Sequence, residues 1–318
     1  MTPDLPPALR AAIAREAAGA SRRDMAGRTA ATTEAYRAGR TSAAAIRGEA
    51  DALAYALARM PATYAACAAV FAEARRMAPD FAPTRLLDAG CGPGTGSWAA
   101  REAWPELSAI TWLDASAPFL ALAERLAAGE LEAGAQRGDL ATAALPSADL
   151  VLASYALAEI APAAQGPLVT RLWAATEGLL ALVEPGTPAG FARLRAARDG
   201  LIAAGAAILA PCPHHAACPL AAPDWCHFSV RLARSREHRL AKGAEAPFED
   251  EKFAYLIAAR AGVAALARTP RVLARPRAGK PGISLKLCTA AGLEQRFVPR
   301  RDKAAHAAAR RLDWGDAL

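Results

Sequence analysis

The sequence predicts an α/β fold whose mostly parallel sheet holds a nucleotide-like ligand at one edge. Three observations lead to this prediction. Between residues 81 and 190, short apolar segments alternate with helical ones, which is typical of βαβ units. Residues 85–96 run from a buried strand through four glycines in seven residues into a helix. Polar residues follow the later strands, and in open α/β sheets the strand ends form the ligand site.

Composition bounds the class of protein. The chain has 318 residues and a net charge of +7, with 53% hydrophobic residues. Charged residues interrupt every apolar run well before 18 residues, so no membrane span is expected. The first 23 residues lack the apolar core of a signal peptide. We therefore expect a cytoplasmic protein without a membrane partner.

The positive charge is concentrated in the C-terminal part. Residues 191–318 contain 22 Lys and Arg against 11 Asp and Glu, a net charge of +11, whereas residues 1–190 carry −4. Such an excess of positive charge is expected of a region that binds a polyanion, although a surface that only contacts solvent could carry the same excess.

The chain divides into regions of different pattern. Residues 1–80 carry helical periodicity, which Pro61 and Pro79 interrupt, and predict a helical region packed on the next domain. The pattern of residues 81–299 predicts the α/β domain, and a cysteine-rich insertion is expected within it at about 208–250. Residues 300–318 are expected to form a basic tail.

The glycine turn carries the first functional motif. It lacks the lysine of a phosphate-binding P-loop, and its spacing is not the dinucleotide G-x-G-x-x-G. The order D-x-G-C-G-x-G over residues 88–94 resembles the first motif of class I S-adenosylmethionine methyltransferases. That resemblance implies S-adenosylmethionine as cofactor and a Rossmann-like sheet of seven strands. It implies binding by Asp88, Gly90, Gly92, Gly94 and Thr95.

The next three strand ends supply further candidates. The second strand, 109–114, ends in Asp114, where a carboxylate can accept hydrogen bonds from both ribose hydroxyls. A helix cap is the alternative role, for which Ser116 is equally suited. The resemblance places Ala115 beside the ligand and Asp139 or Leu140 against adenine, and Ser154 ends the fourth strand.

Three cysteines form a second constellation. Cys212, Cys218 and Cys226 have the spacing C-x5-C-x7-C, which in a cytosolic chain favours metal binding over disulfides. A tetrahedral site needs a fourth ligand, and the candidates are Cys288, His214, His215 and His227. Zinc and iron–sulfur clusters both accept four thiolates, and the nearby histidines favour zinc on chemistry alone.

Two basic runs flank this insertion and predict contacts with RNA phosphates. They contain Arg231, Arg234, Arg236, His238, Arg239 and Lys242, then Arg271, Arg275, Arg277 and Lys280.

Taken together, the motifs resemble one family far more specifically than any of them does alone. R-M-P-A-T-Y-A (59–65), the glycine turn, E-P-G-T-P (184–188), the cysteine segment and E-D-E-K-F-x-Y-L (249–256) occur in one chain. This combination resembles the methyltransferase-like factors of the small ribosomal subunit, found in mitochondria and bacteria, over residues 35–300. The resemblance implies a [4Fe–4S] cluster on Cys212, Cys218, Cys226 and Cys288, which moves the expected metal from zinc to iron–sulfur. It also implies that residues 253–259 and 283–289 are the sixth and seventh strands, the latter antiparallel.

We therefore expect a factor that binds S-adenosylmethionine and the small ribosomal subunit, or its rRNA, through the basic half. It would be a monomer away from the ribosome. Whether it transfers a methyl group stays open, and no catalytic residue is identified. Residues 154–157 read S-Y-A-L where base-methylating enzymes often carry Asn/Asp-Pro-Pro-Tyr/Phe. The alternatives are an active rRNA methyltransferase and a small-molecule methyltransferase.

Overall fold

The computed structural model describes residues 4–38 and 41–318. The N-terminal region is helical. The helices are α1 (Pro7–Glu16), α2 (Arg22–Arg37), α3 (Ser42–Ala45), α4 (Glu49–Ala58) and α5 (Met60–Met77). Pro61 stands in the first turn of α5, where its missing N–H costs nothing, so it begins a helix rather than ending one.

The central strands are parallel, which confirms the predicted fold class. They are β1 (Arg85–Ala89), β2 (Ala109–Asp114), β3 (Ala133–Arg137), β4 (Ala148–Ser154) and β5 (Thr176–Pro185). Their order in the sheet is β3-β2-β1-β4-β5, so the chain reverses direction across the sheet between β1 and β4. The glycine turn follows β1 at this switch point, where open α/β sheets bind ligands.

Helices cover both faces of this sheet. They are α6 (Thr95–Ala103), α7 (Ala117–Ala127), α8 (Pro162–Ala175) and α9 (Pro188–Ala203). The N-terminal helices share one buried apolar cluster with α6 and α7, while α8 and α9 share the cluster on the opposite face. The N-terminal region therefore packs on the sheet as one of its covering layers.

The far edge of the main sheet differs from the prediction. Three more strands bring it to eight, one more than the expected seven: β6 (Ala207–Ala210), β7 (Phe228–Ala233) and β8 (Phe248–Ala259). Strand β8 is antiparallel to both β5 and β6 and lies between them, and β7 pairs with the first half of β8. Segment 253–259 is therefore the antiparallel strand. The sixth strand is β6, whose four residues are too few to show a period in the sequence.

The expected seventh strand, 283–289, belongs to a separate antiparallel sheet. Its strands are β9 (Arg271–Val272), β10 (Arg277–Ala278), β11 (Gly282–Thr289) and β12 (Gly292–Pro299). Because Thr289 pairs with Gly292 across a tight turn, β11 finds its partner locally in β12. Its alternate residues Ile283, Leu285 and Leu287 pack against the C-terminal helix α11 (Lys303–Ala309) and its neighbours, so the basic tail is folded onto this sheet. The remaining helix is α10 (Arg236–Lys242).

None of the helices within residues 4–38 and 41–318 is both long and apolar enough to cross a bilayer.

Candidate functional site

The glycine turn is fixed by hydrogen bonds from its own backbone. The N–H groups of Gly90 and Cys91 donate to the carbonyl of Leu113 at 2.7 and 3.2 Å, and the N–H of Gly92 donates to Asp114 Oδ2 at 2.8 Å. Gly90 has φ +75°, and a Cβ there would lie 2.8 Å from the Cβ of Ala156. The turn therefore requires glycine for backbone conformation and for space.

Beside this turn lies a cavity of about 260 Å³. Most of the predicted cofactor residues line it: Gly90, Gly92, Thr95, Asp114, Ala115, Asp139, Leu140 and Ser154. They come from the ends of β1, β2, β3 and β4, so the topology brings together residues that lie up to 64 positions apart.

Two predicted residues do not line the cavity. Asp88 is fully buried behind the turn, where its Oδ2 accepts a 2.7 Å hydrogen bond from the Ser97 hydroxyl. Burial raises the pKa of Asp88 to about 7. Gly94 lies against the Trp112 ring and begins α6 with φ +78°. Both residues shape the turn from behind.

Asp114 is placed to bind a diol. Its two oxygens accept 2.8 Å hydrogen bonds from the N–H groups of Gly92 and Ser116, and burial raises its pKa. Each carboxylate oxygen has a second lone pair to offer a ligand. The cap of α7 is Ser116, whose hydroxyl accepts from the Phe119 N–H at 3.4 Å. The alternative role of Asp114 as that cap is therefore filled by its neighbour.

Thr95 adds a polar atom without a partner. The residue is 2% exposed, and its Oγ1 forms no hydrogen bond with any described residue. An unpaired buried hydroxyl is costly, and a ligand in the adjoining cavity would satisfy it.

The N-terminal region closes the cavity, which the sequence did not reveal. Thr41, Ser42, Tyr55 and Thr63 all line it. Ser42 donates from its N–H to Glu159 Oε2 at 2.8 Å and from its hydroxyl to Oε1. Burial raises the pKa of Glu159, which follows β4 and also lines the cavity. No motif links positions 42 and 159, so only the fold shows the contact.

Tyr155 contributes a second residue that the sequence did not identify. It follows β4 with φ +58°, a conformation that non-glycine residues rarely adopt. Its hydroxyl donates to Glu251 Oε1 at 2.9 Å, and Arg59 Nη2 lies 3.9 Å from the same oxygen. The strained backbone sets the tyrosine between the cavity and an ion pair in which Glu251 is buried and Arg59 is partly exposed.

The four predicted metal ligands line one separate pocket. Cys212, Cys218 and Cys226 reach it from segment 211–227, and Cys288 reaches it from β11. Burial raises the pKa of the Cys226 thiol, and that of Cys288 to about 12. Among the described residues, no three His, Cys, Asp or Glu side chains converge closely enough to form a coordination shell for a single metal ion.

Two buried arginines, 3% and 4% exposed, line the same pocket. Arg198 donates to the carbonyls of His214 and Ala216, while its buried Nε finds no partner in the described part of the chain. Arg271 donates to the carbonyl of Pro211 and to Glu73. Positive charge and an unused donor beside four thiols suit an anionic metal–thiolate centre.

Side chains, rather than regular structure, hold segment 211–227. Within it one hydrogen bond joins backbone groups, from Asp224 N–H to the Ala221 carbonyl. The Trp225 indole donates to the Gly186 carbonyl at 3.0 Å, and Lys286 pairs with Asp224. Of the candidate histidines, His214 lies with its Nε2 3.6 Å from Cys288 Sγ. His215 accepts from the N–H of Ile208, and His227 stacks on Trp225 at 4.8 Å between ring centroids.

The two basic runs differ in how much of their charge is free. In the first run, Arg231 pairs with Asp250, while Arg234 and Lys242 both pair with Glu249. In the second run Arg271 is buried and forms an ion pair with Glu73. Arg275, Arg277 and Lys280 are exposed. Free positive charge therefore lies on and beside the second sheet, together with Arg300, Arg301 and Lys303. In the first run, Arg236 and Arg239 are exposed and have no ion pair among the described residues.

Comparison with known sequences gives two findings. A family model described as mitochondrial small ribosomal subunit Rsm22 matches residues 49–318. The human protein named ribosome assembly protein METTL17, mitochondrial, is 32% identical over 292 residues, an alignment that covers 84% of this chain. The chain spans 62% of the length of that relative. Because both names are mitochondrial, they contradict the cytoplasmic location expected from the sequence.

Solved structures with similar folds include methyltransferases. The magnesium protoporphyrin IX methyltransferase of Synechocystis, with bound S-adenosylhomocysteine, gives a TM-score of 0.42 at 14% identity, covering 63% of this chain and 84% of that one. A ribosomal protein L11 methylase from Lactobacillus delbrueckii gives 0.38 at 16% identity, covering 61% and 76%.

Proposed function

The chain belongs to the Rsm22 family, and from that premise we propose that it is a methyltransferase-like factor that binds the small ribosomal subunit and assists its assembly. The observation that carries this proposal is the family match over residues 49–318, which includes both the glycine turn and the cysteine pocket. The name of the human relative, a ribosome assembly protein, supports the same role.

S-adenosylmethionine is the proposed ligand of the cavity beside the glycine turn. The residues present fit it. Asp114 retains lone pairs for the ribose hydroxyls, the Thr95 hydroxyl lacks a partner, and Leu140 offers an apolar wall for adenine. Bound there, the cofactor would supply an activated methyl group. The protein would hold it and exclude water with Ser42, Tyr55 and Thr63.

The cavity supports cofactor binding better than methyl transfer. Its carboxylates are partly engaged. Asp114 accepts from two backbone N–H groups and would spend its remaining lone pairs on the ribose, Asp139 accepts from the N–H of Ala141 through Oδ1, and Glu159 accepts from Ser42 through both oxygens. The Tyr155 hydroxyl donates to Glu251. A general base needs a lone pair directed at the acceptor, and these partners compete for it. We therefore favour a binding factor over the active rRNA methyltransferase.

A [4Fe–4S] cluster is the proposed occupant of the cysteine pocket, with Cys212, Cys218, Cys226 and Cys288 as its ligands. The pocket fits an anionic centre, because four thiols share it with two buried arginines, one of which has an unused donor. The cluster would crosslink segment 211–227 to the second sheet, so that binding energy becomes folding energy. Zinc is the alternative occupant, and iron content with visible absorbance of protein purified without oxygen separates the two.

The proposed contact with rRNA is through the exposed basic residues of the second sheet and tail rather than through the first basic run. In the first run, Arg231, Arg234 and Lys242 each have an acidic partner. Arg236 and Arg239 are the two arginines of that run that are exposed without an ion pair among the described residues, so it offers less free charge than the second sheet and tail. Phosphate contacts release counterions, so binding to the subunit should weaken steeply with salt.

The proposed function is tested by sedimenting the protein with immature small subunits in the presence of S-adenosylmethionine labelled on its methyl group. We expect the protein to sediment with the subunits, less so at high salt, and the label to stay out of the rRNA. Failure to sediment with any subunit would contradict the proposal. Label in rRNA that disappears with Asp114→Ala would replace the binding factor with the active enzyme.

A further inference from the structure

One face of the second sheet is open to solvent at the end near β10. At its other end the same face carries Cys288 of the cysteine pocket and contacts segment 211–227 through Lys286 and Asp224. Strand pairing places Arg277, Ser284 and Phe297 in one row across β10, β11 and β12, because directly opposed residues point to the same face. Lys286 and Gln295 form the next row. The opposite face packs on α11, so this face is the one that a partner could reach.

Phe297 stands on β12, an edge strand of this sheet, with half of its surface in water. It is 51% exposed, whereas most large apolar side chains of the chain are buried. Gly282 lies under the ring: a Cβ at Gly282 would be 2.8 Å from Phe297 Cζ. The glycine backbone therefore supports one face of the ring and leaves the other free. Covering the glycine explains an apolar residue here, but it does not require an aromatic one.

Unpaired positive charge surrounds the ring. Residues 275–303 contain eight Lys and Arg against two acidic residues, Glu294 and Asp302. Glu294 is paired with Arg296. Arg277, Lys280 and Arg300 are exposed and form no ion pair within the described residues. Two strand spacings separate Arg277 from Phe297, or about 10 Å.

A second exposed phenylalanine provides a contrast. Phe248 is 44% exposed, but the Arg231 guanidinium lies over its ring, 4.2 Å from the centroid. That arginine is in turn held by Asp250. The ring of Phe248 is therefore covered by Arg231, whose charge is balanced by Asp250. The exposed ring of Phe297 instead lies near Arg277, Lys280 and Arg300, which have no ion pair among the described residues.

We propose that this face binds single-stranded RNA, with one base stacked on Phe297 and the adjoining phosphates on Arg277, Lys280 and Arg300. An aromatic ring within a basic sheet surface is the arrangement by which proteins bind unpaired nucleotides. The inference rests on the proposed function for the source of the RNA, which would be an unpaired rRNA segment of the immature subunit.

The test measures the binding of a fluorescent ten-nucleotide oligouridine and, separately, of immature small subunits. Phe297→Ala removes the stacking surface and should weaken oligouridine binding about tenfold. Phe297→Leu still covers Gly282 but offers no π-face, so it should weaken binding similarly without loss of folding. Phe297→Trp should bind at least as tightly as the wild type. Phe248→Ala is the matched control and should leave binding unchanged.

The outcomes separate this inference from the proposed function. Equal oligouridine binding by the wild type, Phe297→Ala and Phe297→Leu would overturn the stacking site, even if all three still sediment with subunits. Weakened subunit binding with unchanged oligouridine binding would show that the face contacts something other than an unpaired base, which also overturns it. If the wild type binds oligouridine through Phe297 but never binds subunits, the proposed function fails and the RNA site stands.

Discussion

The cavity beside the glycine turn and the cysteine pocket differ in what holds their walls in place. Around the cavity, the glycine turn is tied by its backbone to β2, and the walls are the ends of neighbouring parallel strands. Around the pocket, segment 211–227 has no regular structure, and the second sheet contributes one of the four cysteines. The first site is preformed by the fold, whereas the second, if it holds the proposed cluster, would depend on that cluster for its shape. The following predictions test this difference, beginning with the largest effect.

Cys226→Ser should have the largest effect. Without one thiolate the pocket should lose its iron and visible absorbance, and segment 211–227 should become sensitive to protease. Structural metal sites contribute on the order of 10 kcal/mol, so the loss of folding energy should be several kcal/mol. Iron analysis, absorbance and limited proteolysis check this. Cys67→Ala, a buried cysteine of α5 outside the pocket, is the control and should retain iron. Equal iron in both variants would contradict the assignment.

Asp88→Asn should change how stability depends on pH. Burial raises the pKa of Asp88 from 3.8 to about 7. The unfolded chain therefore releases this proton first, and the wild type loses stability as the pH rises from about 4 to 7. The variant should lack this loss, so its free energy of unfolding relative to wild type should rise by about 2–3 kcal/mol between pH 5 and pH 8.

Urea titrations at the two pH values measure the Asp88 effect, and parallel pH profiles would refute it. Asp149→Asn is the control, at a carboxyl whose pKa shift has the opposite sign. Burial acts to raise the pKa of Asp149, but hydrogen bonds from Arg85 and Thr84 outweigh it and lower the pKa. That carboxylate therefore stabilises the fold once ionised, a gain that is complete by about pH 4, so its variant should be less stable than wild type by the same amount at pH 5 and pH 8.

Gly96→Ala should disturb the cavity from behind. A Cβ at Gly96 would lie 2.2 Å from Leu152 Cδ2 on β4, so either the buried Leu152 side chain must repack or α6 must move away from the sheet. We expect a loss of about 2 kcal/mol and weaker binding of the cofactor, measured by denaturation and calorimetry. Gly200→Ala in α9, where no atom lies within 4 Å of the added Cβ, should be neutral or stabilising. A Gly96→Ala variant as stable as Gly200→Ala would contradict the close packing.

Ser42→Ala should have the smallest effect. It removes the hydroxyl that donates to Glu159 while the backbone N–H still donates, so about 1 kcal/mol should be lost. Because the contact closes the cavity, cofactor release should be faster by a few-fold, which stopped-flow displacement measures. Thr170→Ala, an exposed hydroxyl of α8, is the control. Release at the wild-type rate would show that the contact does not retain the ligand.

The sequence predicted the parallel strands and most of the cavity, because both depend on local patterns: apolar strands, a glycine turn and polar strand ends. It misplaced 283–289, since alternating apolar residues suit an edge strand of either sheet, and pairing with β12 decided between them. No sequence pattern indicated the contacts between residues that are far apart along the chain. Ser42 and Glu159 are 117 positions apart, and Arg271 and Glu73 are 198 apart. The charge of the basic runs was correctly counted, but its neutralisation by Glu249 and Asp250 required the fold.

Hydrogen exchange of the protein purified without oxygen, compared with the same protein after chelation, tests the central claim most directly. The account predicts that chelation removes protection from residues 211–227 and from β11 around Cys288, while the glycine turn and the strand ends around the cofactor cavity keep theirs. Protection that is unchanged in both regions, or lost equally from both, would contradict it.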